Sequence, residues 1–136
     1  MARVHVLKEV CDEKESGWRL CLQWASYLYD DKTARYGYRF VWRRPDEEGG
    51  GLEAGRGQTR IPSLNEATNL IARAVAEGWG NRDGNKMEAA AERLRKAGCV
   101  VDFYAGYVGW PTKEAARAGQ MTPQSMEDTM IVQEWS

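Results

Sequence analysis

The sequence predicts an α+β domain: an antiparallel sheet of three to five strands, two main helices packed on one of its faces, and a short helical C-terminal tail. Three observations carry that expectation. Over the first 61 residues apolar and aromatic side chains recur at every second position, the period of a strand with one buried face. Over residues 63 to 98 they recur three and four apart, the period of a helix. The strand-like stretches follow one another directly with turn residues between them, as in consecutive hairpins.

Taken in order, "ARVHVLKEV" alternates Val4, Val6, Lys8 and Val10 against His5, Leu7 and Glu9, which suits an opening strand, and the polar "CDEKESG" breaks it. In "GWRLCLQWASYLYDD" Trp18, Leu20, Leu22, Trp24 and Leu28 fall on one face and Arg19, Cys21, Gln23, Tyr27 and Tyr29 on the other. After the turn "DDKTA", "ARYGYRFVWRRP" sets Tyr36, Tyr38, Phe40 and Trp42 against Arg35, Arg39 and Arg43. Pro45 ends this strand because proline has no N–H to give to the ladder. "DEEGGGLEAG" reads as a charged hairpin loop, and "RGQTRIP" as a further short strand that adds Arg56 and Arg60 to the arginine side.

The helices have start and stop signals. Ser63 stands three residues before Glu66, the capping-box spacing, so that hydroxyl and carboxylate satisfy free N–H groups reciprocally. Leu64, Ala67, Ile71, Ala74 and Val75 make the expected apolar stripe with Leu70 beside it, and Gly78 closes the helix. Asn85 is the expected cap of a second helix whose stripe is Met87, Ala90, Ala91, Leu94 and Ala97, stopped by Gly98. "CVVDFYAGYV" reads as one more strand, "PTKEAARAG" as a short helix, and Thr122-Pro123 as the start of another. The expected organisation is a single domain over 1–136, mostly sheet to 62, two helices over 63–98, a strand over 99–109 and short helices over 110–136.

The totals narrow the function classes. With 136 residues, 43% of them hydrophobic and 29% charged, the chain can close its own core. Its 19 basic and 20 acidic residues leave a net charge of −1, so overall charge draws no polyanion. No apolar run is long enough for a membrane span, and "MARVHVLKEVCDEKES" lacks the apolar core of a secretory signal. The odd set Cys11, Cys21 and Cys99 reads as three reduced thiols in a cytoplasmic protein.

Catalytic groups are scarce. His5 is the one histidine, on an expected edge strand, and Cys11 nearby has no sequence context that activates it. No CxxC or HxxxH spacing exists, "NRDGN" fails as a calcium loop because Trp79 and Ala90 would fill ligand positions, and "GLEAGRGQ" lacks the Lys-Ser/Thr of a phosphate loop. No catalytic residue, metal or cofactor is expected.

The arginine side of the sheet is the strongest pattern. Residues 35 to 60 hold six arginines against four acids. Arg35, Arg39, Arg43, Arg56 and Arg60, with Tyr27 as a stacking platform, form the expected partner-binding face, since guanidinium forks suit carboxylates and phosphates. A solvated face that does nothing more is the competing expectation. Met121, Met126, Met130, Ile131 and Trp135 mark the tail as a second apolar contact surface, unless they dock on the protein's own core. "GRGQTRIPSLNEATNLIARAVAEGW" resembles the sheet-to-helix half of WGR domains, which bind nucleic acid. The likeness covers under a quarter of the chain, and Trp42 is followed by Arg43-Arg44-Pro45 in place of Gly-Arg.

The function expected is that of a small non-catalytic cytoplasmic interaction protein, an adaptor or inhibitor of the kind bacteria and mobile elements encode. Its partner would be a protein or a second copy of itself, held through the basic sheet face and the Met/Trp tail. The alternative is a nucleic-acid module that sets the arginines on phosphates.

Overall fold

The computed structural model describes residues 3–52, 59–80, 82–103, 107–119 and 122–136. It is α+β. Strands β1 (Arg3–Glu13), β2 (Arg19–Leu28) and β3 (Ala34–Arg43) form a three-stranded antiparallel sheet in that order. Helices α1 (Leu64–Ala76) and α2 (Gly84–Lys96) follow, then the short strands β4 (Val100–Asp102) and β5 (Tyr107–Gly109), then α3 (Lys113–Ala118) and α4 (Pro123–Trp135). By contact the chain divides into two compact units, one of Met1–His5, Ser26–Gly37 and Arg82–Ser136, the other of Val6–Ala25 and Tyr38–Asn81.

In the second unit alternation sets side-chain direction along the sheet, but burial does not follow it: Tyr38, on the expected inner side, is exposed. β2 is buried along nearly its whole length, Cys21 and Gln23 as completely as Leu20 and Trp24. It is the central strand, paired along one edge by β1 and along the other by β3. On the ring-bearing side, Trp24 packs on Tyr38 with centroids 4.8 Å apart, and Tyr38 stacks on Trp79 at 6.3 Å. β1 runs on through Cys11 to Glu13, past the expected break, and turns where Gly17 N–H bonds the Lys14 carbonyl.

The glycine loop begins as a hairpin: Arg44 N–H bonds the Gly51 carbonyl and Arg43 bridges to Leu52. The expected strand at "RGQTRIP" is not borne out in its described part. Thr59, Arg60 and Ile61 are irregular, and the Arg60 carbonyl accepts the Trp42 indole N–H at 3.0 Å instead of a ladder bond. Arg56 to Gln58 lie outside the described residues.

Helix α1 starts at Ser63, whose hydroxyl accepts the Glu66 N–H at 3.2 Å. The reciprocal half of the capping box is replaced. The Glu66 carboxylate takes the Ser63 hydroxyl and an ion pair from Lys14. The expected apolar stripe is rotated: α1 buries Leu70 and Ala74, while Leu64, Ile71 and Val75 are exposed.

In the first unit α2 buries Met87, Ala90, Ala91 and Leu94 as expected, and Ala97 stays exposed. Its cap is Asp83, two residues before the expected Asn85. Asp83 Oδ1 accepts the N–H groups of Asn85 at 2.8 Å and Lys86 at 3.3 Å. The first helical residue is Gly84, where a Cβ would stand 1.8 Å from the Tyr36 carbonyl oxygen and only glycine permits that approach. The Tyr36 and Phe103 rings lie 5.3 Å apart, and burial pushes the Tyr36 hydroxyl pKa up to about 12. The single strand expected over 99–109 is two, β4 and β5, paired to each other with Val101 opposite Val108 and separate from the main sheet. The tail is no short appendage: α4 has 13 residues, as many as α1 or α2, and packs along α2. Its start is as expected, with Thr122 accepting the Ser125 N–H at 3.0 Å and proline in the first turn.

Candidate binding surface

The arginine side of the sheet is a polar network. Glu9 and Cys11 on β1 stand opposite Gln23 and Cys21 on β2, and Gln23 stands opposite Arg39 on β3. Arg39 Nε donates to Gln23 Oε1 at 2.8 Å, and Gln23 Nε2 donates in turn to Glu9 Oε2. Arg43 reaches the same carboxylate from β3. Its Nε donates to both Glu9 oxygens at 2.9 Å, its Nη2 lies 2.8 Å from Oε2, and its Nη1 donates to the Gly50 carbonyl at 3.3 Å. Arg19 pairs with Asp46 at 3.2 Å. A carboxylate and an amide thus hold the two central arginines along the strand direction, and the fully buried Gln23 has both ends of its amide bonded.

Between these residues Cys11 and Cys21 are joined in a disulfide, with S–S 2.11 Å and Cα atoms 4.0 Å apart. The expectation of three reduced thiols is corrected. Adjacent antiparallel strands bring residues ten apart in sequence face to face, which cysteine count alone does not reveal. Cys99 is the remaining free thiol, half-buried, and burial raises its pKa, which keeps it a weak nucleophile.

Arg35 lies in the first unit and sits 3.6 Å from Glu88 in an exposed ion pair. Arg60 is exposed, and its carbonyl is on the ring-bearing side of the sheet through Trp42. Tyr27 is half-buried at the end of β2. Arg56 lies outside the described residues. Sequence reading placed Gln23 on the arginine side and missed Glu9, although the hairpin turn after Glu13 sets the register that puts Glu9 beside the arginines.

Two further features bear on chemistry. Asp31, Thr33, Arg35, Glu88, Arg95 and Phe103 line a hollow of about 580 Å³ in the first unit. The Thr33 hydroxyl, at 2.5 Å, and its N–H, at 3.0 Å, bond Asp31 and hold its carboxyl below the usual range. Arg95 lies 5.6 Å from the Phe103 ring centre. A general acid at neutral pH needs a raised carboxyl pKa, so Asp31 is shifted the wrong way for that work.

Helix α4 is the second feature. It buries Asp128, at 1% exposure, and Val132, while Met126 and Met130 face outward at 53% and 57%. Asp128 is held by Arg93 of α2, whose Nε and Nη2 donate to its two oxygens at 3.0 and 2.7 Å, and by Gln124 at 3.0 Å. The Arg93 guanidinium keeps the carboxyl below the usual range against the effect of burial. The helix therefore buries an aspartate beside Val132 and leaves two methionines exposed among Gln124, Glu127, Gln133 and Glu134. Ile131 and Trp135 are half-buried and Met121 lies outside the described residues. Among the described residues no helix is long and apolar enough to cross a membrane. Comparison with protein-family models, with curated proteins and with solved structures finds no match, so no family is assigned and the likeness to WGR domains gains no support.

Proposed function

We propose that the chain is a small non-catalytic interaction protein, an adaptor or inhibitor, and that its partner is a protein bound chiefly through the outer face of α4. One observation carries this reading: α4 turns Met126 and Met130 to solvent while it buries an aspartate. Residues four apart on a helix share a face, and methionine adapts its shape to a partner at little cost. The basic sheet face has a lesser part than the sequence suggests, because Arg39 and Arg43 already bond Gln23 and Glu9. The same pairing weakens the nucleic-acid alternative, since a phosphate would have to displace a carboxylate from Arg43.

The test places a photo-crosslinking residue at position 126 or 130, identifies the captured partner, and rebuilds the complex from purified components. Met126→Lys with Met130→Lys should weaken that complex at least tenfold, the scale of a lost apolar contact centre, with circular dichroism unchanged. Equal affinity of the double variant for the identified partner refutes the reading. Binding to nucleic acid that falls steeply with salt and disappears with Arg39→Glu would transfer the function to the alternative.

A further inference from the structure

The disulfide and the carboxylate beside it form a cluster that partner binding does not use. One ligand atom each from Glu9, Cys11 and Cys21 lies within 4.8 Å of the other two. Glu9 and Cys11 are two apart on β1, so they share a side of the sheet, and Cys21 meets them from β2. Joined to each other, the sulfurs are poor ligands. Reduction by a dithiol changes that: its two thiols supply two electrons and two protons, the Cys11–Cys21 bond breaks, two protein thiols form, and the dithiol closes into its own disulfide. The hairpin keeps the new thiols side by side, because strands β1 and β2 extend beyond them in both directions.

We propose that the reduced chain binds one zinc ion through the Cys11 and Cys21 thiolates and the Glu9 carboxylate, so that this hairpin holds either a disulfide or a metal. Two thiolates select a borderline-soft ion over magnesium or calcium. Three protein donors with a fourth position left to water is an arrangement zinc accepts, at about 2.3 Å to sulfur and 2.0–2.2 Å to oxygen. The donor atoms already lie within 4.8 Å of one another, a separation that side-chain rotation rather than strand movement would have to close. The surrounding groups suit the ion. Arg43 and Gln23 already donate to Glu9 and fix its carboxylate, as outer partners of metal ligands do. The Arg43 charge offsets the excess negative charge of three anionic donors around a divalent ion. Both thiols lose their protons to solvent as the ion binds.

The test is titration of the full-length chain with zinc, after reduction by a dithiol and its removal without air, beside the oxidised chain. The reduced chain should take up one ion and release about two protons, and the oxidised chain should bind at least a hundredfold more weakly. Cobalt added to the reduced wild-type chain should give thiolate-to-cobalt charge-transfer absorption, a readout that needs no variant. Cys99→Ser should leave both results unchanged, and Glu9→Gln, checked for fold by circular dichroism, should weaken zinc at least tenfold. Absence of stoichiometric zinc in the reduced chain overturns the proposal. So do equal binding by the oxidised chain, a cobalt band that survives Cys11→Ser with Cys21→Ser, and unaltered affinity in Glu9→Gln.

Discussion

Two arginine–carboxylate pairs hold the two units of this chain, and they are built alike and placed differently. On the sheet, Arg43 and Glu9 are each about a quarter exposed, at 23% and 24%. Between the helices, Arg93 is 48% exposed while Asp128 is 2% exposed. Each carboxylate is met by Nε and a terminal nitrogen, one on each oxygen in Asp128 and, in Glu9, Nε shared between both oxygens with Nη2 on Oε2. The difference lies in which partner can reach water when the other is gone. Both members of the sheet pair can. In the helix pair only the arginine can, and the acid stays enclosed among α2 and α4 side chains.

The largest expected effect follows from that asymmetry. Arg93→Ala strands a buried carboxylate, whereas Asp128→Ala frees an arginine that turns outward and costs about 2 kcal/mol, the worth of its charged hydrogen bonds. Urea unfolding at pH 7 should rank Arg93→Ala as the more damaging of the two. Acid should then sharpen the contrast. In the wild type the Asp128 carboxyl lies below its ordinary value of 3.8, so the stability it contributes is present above that pH and fades as pH falls through the lower folded value. In Arg93→Ala only burial and Gln124 act on the acid, the loss of the cation moves its pKa up, and the deficit against wild type should narrow as pH drops. A deficit independent of pH would break the comparison.

Reduction of the disulfide comes next. The bridge closes a loop of ten residues, for which the chain-entropy argument gives about 2.7 kcal/mol of lost stability. The Arg43–Glu9 pair should survive reduction, because strand register places it and the bridge lies within that register. Denaturation midpoints with and without reductant, in wild type and in Arg43→Ala, should therefore shift in parallel.

Side-chain direction along the strands was legible from the sequence, and so were the helix positions, because alternation and capping act locally. Tyr38 packs with Trp24 and Arg39 points the other way, as period two requires. What lay beyond reading were facts of register and of contact between distant segments. Cys11 meets Cys21 only once a four-residue turn is in place. Asp83 replaces Asn85 as a cap because its carboxylate reaches the N–H groups of Asn85 and Lys86, and the Tyr36 carbonyl demands glycine at 84. Leu70 goes inside and Ile71 outside because the contact on α1 selects one of two neighbouring stripes. Spacing left Met126 and Met130 as either a contact surface or core, and the buried side of α4 is shared by Val132 and an aspartate whose partner sits 35 residues earlier in sequence. Apolar periodicity cannot announce a buried ion pair.

The smallest effects belong to the sheet pair, and they carry a built-in asymmetry of their own. Arg43→Ala removes one side of a quarter-exposed ion pair and leaves Glu9 with Gln23 and with water within reach, so about 1 kcal/mol is expected. Glu9→Ala removes the same pair and also takes the acceptor from Gln23 Nε2, an amide with no exposure whose other end is held by Arg39. A buried donor left without an acceptor costs about 1 kcal/mol more, so Glu9→Ala should destabilise about twice as much as Arg43→Ala. The double variant should then fall short of the sum by about 0.5 kcal/mol, the coupling between the two charges, and raised salt should shrink that coupling while the Gln23 contribution stays. Equal single-variant costs would mean that Gln23 finds another acceptor. The sheet face would then be held by charge alone, as the arginine pattern suggests at first sight.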